Sequence, residues 1–150
     1  MYLHQIGRLD LLPALDGSIV VPEGVMAELD AGRALGVALP DPRVLPWASV
    51  RAVRNAGLLP LAVDLGQGER EVLAITQESP GALAILDDGL ARQHGRLLGI
   101  RLTGTLGVLL KAKQTGHVDQ VAPLVDQLEQ LRFRLDAGTR AAVLELARER

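Results

Sequence analysis

The spacing of apolar and polar positions divides the chain into short strands separated by amphipathic helices. Near the start, "YLHQIGRLDLLPAL" sets Leu3, Ile6, Leu9, Leu11 and Leu12 at mostly helical spacing, weakened at Gly7, and predicts a short helix ending near Pro13. In "GSIVVPEGVMAELDAG", residues 18–21 form a β-branched run that predicts a strand. Pro22 suits the first turn of the helix that follows, and Gly32 suits its end. "GRALGVALPDPRVLP" is punctuated by Gly and Pro and predicts an irregular or weakly helical stretch, whereas the alternation in "WASVRAV" predicts a strand over residues 47–53. "NAGLLPLAVDL" has no assignable period. From Glu69 onward Val72, Leu73 and Ile75 repeat at helical spacing behind Gly66 and Gly68. Residues 82–86 then predict a strand, 89–98 a helix and 100–102 a further short strand. A helix over "TGTLGVLLKAKQTG" follows, with Thr at candidate N-cap positions, Leu106, Leu109 and Leu110 as its apolar stripe and Gly116 as its stop. Two more helices lie in "DQVAPLVDQLEQL" and "AGTRAAVLELARER". Strands alternating with helices imply an α/β fold, a three-layer α/β/α sandwich with a mostly parallel sheet.

Composition narrows the chemistry. A chain of 150 residues, 48% of them hydrophobic, suits one domain over residues 1–150 that buries roughly two-thirds of its unfolded surface. Aromatic residues make up 2%, so ring stacking is not a main route to nucleic acid. There are no cysteines, which excludes disulfides, thiolate catalysis and cysteine-ligated zinc and leaves oxygen or histidine chemistry. No secretory pattern and no run near 18 apolar residues is present, so a soluble, cytoplasmic protein with no membrane partner is expected. Charge is uneven: residues 1–88 carry 12 acids against 6 bases, while residues 89–118 carry 5 bases (Arg92, Arg96, Arg101, Lys111, Lys113) and no acid. An acidic pocket beside a basic flank is what a site for metal ions and a phosphate chain requires; solvated helix faces give the same count.

The acids fall at element boundaries. Asp87 and Asp88 follow the strand at 82–86, where open α/β sheets place their crevices, and one of the two is expected to cap the helix beginning at Gly89. Glu69 opens a helix on the face of Val72 and Leu73, which favours it as a ligand at the core edge. Glu71, about 200 degrees away around the helix, is expected to point elsewhere. Glu28, in "VMAELDAG", follows the first strand. Each acid taken alone is also explained by a solvated or dipole-capping position. His4, His94 and His117 are scattered, "GTLGVLL" lacks the Lys-Ser/Thr of a phosphate loop, and "GQGER" has the wrong spacing for a dinucleotide site.

The ordered pieces "IGRLDLLPAL", "IVVPEGVMAELDAG", "LGQGEREVLAI", "AILDDGLARQHGRLLGIRLTGTLGVLLKAKQTGHV" and "FRLDAGTRAAVLELA" resemble, over nearly the whole chain, the PIN-like domain family. The acid pair, helix and Thr-Gly-Thr-Leu-Gly-Val-Leu-Leu run with its Lys-Ala-Lys is the most specific piece. The resemblance implies a parallel sheet flanked by helices. It also implies a metal-dependent ribonuclease, often the toxin of a toxin–antitoxin pair, whose clustered acids bind Mg²⁺ or Mn²⁺ to activate water. By motif, Glu28, Glu69 and Asp88 would be catalytic, with Asp87 a further metal ligand. Thr103 or Thr105 would stand at the site rim, and Arg92, Lys111 and Lys113 would contact RNA. The implied partners are RNA, an antitoxin protein and a second copy of the chain. Family members open with a strand carrying an Asp, and Met1 stands just after that point, so the central strand and first acid are expected to be missing. A hole there would leave neighbouring ladders unpaired.

Two readings therefore stand side by side. One is a PIN-type endoribonuclease; the other is a catalytically inactive PIN-like module that binds nucleic acid or a partner, or dimerises. A phosphoacceptor domain built on Asp87 and Asp88 fits less well, since such domains place acids near the chain start.

Overall fold

The computed structural model describes residues 1–55 and 64–149. In chain order the elements are α1 (Tyr2–Gln5), α2 (Leu11–Asp16), β1 (Ile19–Pro22), α3 (Glu23–Ala34), a 3-10 turn (Pro42–Val44), β2 (Ala48–Arg51), α4 (Gln67–Glu78), β3 (Ala84–Ile85), α5 (Gly89–Leu97), β4 (Leu102–Thr103), α6 (Thr105–Gln114), α7 (Ala122–Gln130) and α8 (Ala137–Leu146). They form two compact units, one spanning Ser18–Gly104 and the other joining Met1–Gly17 to the chain from Thr105 onward. Most of the unassigned run "NAGLLPLAVDL" lies outside the described residues.

The Ser18–Gly104 unit is α/β with parallel strands. β1 pairs with β2 in register from Ile19↔Ala48 to Pro22↔Arg51. β3 pairs with β4 at Ala84↔Leu102 and Ile85↔Thr103, and Ala84 N–H to Arg101 O (3.0 Å) and Leu86 N–H to Thr103 O (2.9 Å) anchor the ladder. Among the described residues these are two separate two-stranded sheets. Helix α4 packs against both β1 and β3. Leu65, Leu73, Ala84, Leu86 and Ala91 form the buried cluster, with Val72, Ile100 and Leu102 against it. Gly95 brings α5 close to β4, because a Cβ there would lie 2.8 Å from Leu102 Cδ2.

The strands expected over 18–21, 47–53, 82–86 and 100–102 are found at Ile19–Pro22, Ala48–Arg51, Ala84–Ile85 and Leu102–Thr103, and helix boundaries differ as well. The first predicted helix breaks at Gly7, whose φ of +72° no β-carbon favours, into α1 and α2. Pro13 then sits inside the first turn of α2, where its missing N–H would have had no partner. Helix α3 runs through Gly32 to Ala34, since Gly32 makes room for Leu39 Cδ1 rather than ending the helix. The end comes at Gly36 (φ +84°), with Val37 N–H to Gly32 O at 3.0 Å and Gly36 N–H to Arg33 O at 2.9 Å, the paired bonds of a Schellman motif.

In the second unit α6 packs against α2 and α8. Leu11, Leu109, Val121, Val125 and Leu128 are fully buried. Tyr2 and Phe133 meet edge to face at 4.9 Å. Glu149 accepts from Val121 N–H (2.8 Å) and Ala122 N–H (3.1 Å), supplying the acceptor that Val121 lacks as an N-cap residue for α7. Among the described residues no helix is long and apolar enough to cross a membrane.

Candidate functional site

The acids predicted at element boundaries sit at helix N-termini. Asp88 is the N-cap of α5 and its carboxylate accepts from Ala91 N–H at 2.9 Å. Glu28, exposed on α3, reaches the start of α4, where its Oε1 accepts from Gly68 N–H at 3.0 Å. Gly68 leaves room for that contact: a Cβ there would lie 2.8 Å and 2.9 Å from the two Glu28 oxygens, so the carboxylate would have to move aside. Glu69, the next residue on α4, is partly buried and binds its proton more tightly than an ordinary glutamate. Burial is the largest cause, followed by the negative charges of Asp88 and then Glu28, while a hydrogen bond from the Gly66 backbone acts the other way. The charges of Glu28 and Asp88, carried by two other elements, thus both act on Glu69.

Asp87 is exposed, with Oδ1 2.8 Å from the point a Cβ on Gly104 would occupy. Arg92 is half-buried and donates from Nη1 to the Leu86 carbonyl at 2.8 Å, which ties α5 to the end of the strand that delivers both aspartates. Thr103 is half-buried on β4 opposite Ile85. The remaining predicted contacts belong to the other unit. Thr105 is buried, Lys111 is exposed, and Lys113 donates to the Asp119 carbonyl and pairs with Glu149 at 3.5 Å. His94 pairs with Asp64 (Nε2 to Oδ1, 3.0 Å) and His117 meets Thr115 Oγ1 at 2.9 Å, so neither joins the acids.

Sequence reasoning missed Glu71. It is 7% exposed, more buried than the expectation of a side chain pointing elsewhere allowed. Its Oε1 accepts from Gly24 N–H at 3.0 Å and its Oε2 from Gln67 Nε2 at 2.7 Å. The available signal was the i, i+3, i+7 row Gly68, Glu71, Ile75, whose members are all buried.

All three clustered side chains are hard oxygen donors, which suits Mg²⁺ or Mn²⁺ in chemistry. Among the described residues, however, no group of three histidine, aspartate or glutamate side chains is set to hold a metal ion as it stands. Glu28 and Asp88 are turned to backbone N–H groups instead. A family model described as DUF3368, PIN domain, matches residues 1–149. No curated protein and no solved structure matches the chain.

Proposed function

The chain belongs to the PIN-domain family, and from that premise we propose that it is a metal-dependent endoribonuclease acting through Glu28, Glu69 and Asp88. The observation that carries the reading is the raised proton affinity of Glu69 beside two further carboxylates. Structural acids are usually spaced to avoid this, and crowding of like charge marks sites that recruit a cation. A bound Mg²⁺ or Mn²⁺ would supply an activated water and neutralise the charge that develops on the phosphodiester. The chain's own part is to hold the donors. Gly68 N–H and Ala91 N–H orient Glu28 and Asp88, and Arg92 fixes the turn that carries Asp87 and Asp88. Thr103 at the rim and Arg92 as a phosphate contact complete the site within the Ser18–Gly104 unit; Lys111 and Lys113, in the other unit, are proposed separately as RNA contacts, and Thr105 there is buried. A cytoplasmic setting, an antitoxin partner and a homodimer belong to the same proposal.

The test is Mn²⁺-dependent cleavage of a single-stranded RNA by the purified chain and by Glu69→Gln. Cleavage lost in the variant and in chelator supports the proposal; cleavage that survives the substitution rejects it. A second reading, a catalytically inactive module that binds nucleic acid or a partner, is favoured by one observation. Glu28 and Asp88 already serve as helix caps, so the acids have a use without metal. RNA binding without cleavage at any Mn²⁺ concentration would select it.

A further inference from the structure

Helices α3 and α4 lack caps of their own. The N-cap of α3 is Pro22 and that of α4 is Gly66, and neither offers a side-chain acceptor. Each helix instead receives its cap from the other. The second residue of α3, Gly24, donates its N–H to Glu71 of α4, and the second residue of α4, Gly68, donates its N–H to Glu28 of α3. The arrangement is reciprocal in its glycines as well. A Cβ on Gly24 would lie 2.3 Å from Glu71 Oε2, and one on Gly68 would lie 2.8 Å from Glu28 Oε1. Gly24 and Glu28 are one turn apart on α3; Gly68 and Glu71 are one turn apart on α4. Two such contacts fix both the separation of the helices and their register along one another, which a single contact would not.

We propose that Glu71 is a positioning residue for the divalent-cation site: by holding Gly24 it sets the register of α3 and so delivers the Glu28 carboxylate beside Glu69. The inference rests on the nuclease reading for the identity of the cation, and on the crossed contacts for the role of Glu71. Glu71 itself touches neither cation nor substrate. It is buried, whereas Glu28 is exposed, so the inner contact is the rigid half of the clasp and the outer contact the adaptable half. This division lets Glu28 turn one oxygen to a cation while α3 stays in place.

The test measures Mn²⁺ binding by calorimetry on the full chain, for the wild type, Glu71→Ala, Glu71→Gln and Gly24→Ala. Loss of a residue that orients a metal ligand weakens metal affinity about 10- to 100-fold. That loss is expected for Glu71→Ala and for Gly24→Ala, which keeps the carboxylate but blocks its approach. Glu71→Gln retains an acceptor for Gly24 N–H and should stay within a few-fold of the wild type. A merely structural role predicts lower melting temperatures with unchanged Mn²⁺ affinity in the folded variants, and that result overturns the proposal. No saturable Mn²⁺ binding by the wild type would overturn the nuclease reading together with it; unchanged affinity in the variants overturns the role of Glu71 alone. Amide hydrogen exchange on the metal-free wild type gives a second measurement that needs no variant to fold. Gly24 and Gly68 N–H should exchange more slowly than those of Glu23 and Gln67, and equal rates would overturn the clasp.

Discussion

Gly24→Ala sets two well-known effects against each other. Alanine in place of glycine inside a helix ordinarily stabilises by about 1 kcal/mol. Gly24 does not adopt positive φ, so no backbone strain opposes the change. The added Cβ, however, would stand 2.3 Å from Glu71 Oε2, 2.9 Å from its Cδ and 3.2 Å from Gln67 Cγ. Ordinary contact needs roughly 3.5 Å, so the carboxylate must retreat by about an ångström. Glu71 is 7% exposed and cannot retreat into water, and its hydrogen bond from Gly24 N–H is lost. A hydrogen bond to a charged group contributes about 1.5 to 3 kcal/mol, more than the helix propensity returns, which leaves a net cost of roughly 0.5 to 2 kcal/mol. Gly68→Ala meets the exposed Glu28 at 2.8 Å, and that side chain can swing into solvent, so the two effects nearly cancel.

The assay is urea unfolding followed by the fluorescence of Trp47, the only tryptophan, which lies in the Ser18–Gly104 unit and whose carbonyl accepts from Ile19 N–H. The expected order of midpoints places Gly24→Ala below the wild type and Gly68→Ala close to it. A Gly24→Ala midpoint at or above the wild type would show that the buried carboxylate holds nothing together.

Two further predictions concern charge. Because folding raises the proton affinity of Glu69, its ionisation costs the fold stability at pH values above its folded pKa, and that cost fades as pH falls toward the ordinary value of 4.5. Glu69→Gln should therefore melt higher than the wild type near neutral pH, with the gap closing on acidification; a gap that widens would contradict the assignment. Glu149 behaves oppositely. Burial pushes it up, but Val121 and Ala122 N–H and Lys113 outweigh that and hold it below the usual range, so its contribution is present above 4.5 and is lost as pH falls further. Glu149→Ala should cost about 1 kcal/mol at neutral pH, read by thermal melts, and much less in acid.

The elements most legible in the sequence were those whose evidence is local. The β-branched run read as a strand over 18–21 and found at Ile19–Pro22, and the helical repeat of Val72, Leu73 and Ile75, rest on neighbours a few residues away. Glu69 and Asp88 could be singled out because helix starts and strand ends are local features too, whereas Glu28, midway along α3, is singled out through the family resemblance. What could not be read was the partner of each acid. Glu71 meets Gly24 across 47 residues, and periodicity on one helix states which face a residue shares but not which N-terminus lies opposite. The same limit explains Gly32. A glycine near a predicted helix end reads as a stop, yet here it accommodates Leu39, which only the folded chain brings to it.

Glu69 is the partly buried member of the cluster. Glu28 and Asp88 each answer to a helix N-terminus, where unsatisfied N–H groups and the helix dipole favour a negative charge. Glu69 has burial and two like charges against it and only the Gly66 backbone in its favour. A proton or a cation entering this cluster relieves Glu69 of the cost of holding a charge against burial and two like charges. Asp88→Asn separates the two duties of Asp88, since asparagine caps a helix about as well as aspartate but carries no charge. It should leave α5 intact by circular dichroism while lowering the proton affinity of Glu69, so that the pH-dependent stability gap between this variant and its Glu69→Gln double mutant shrinks. An undiminished gap would mean that the charge of Asp88 does not act on Glu69, and that Asp88 stands outside the cluster.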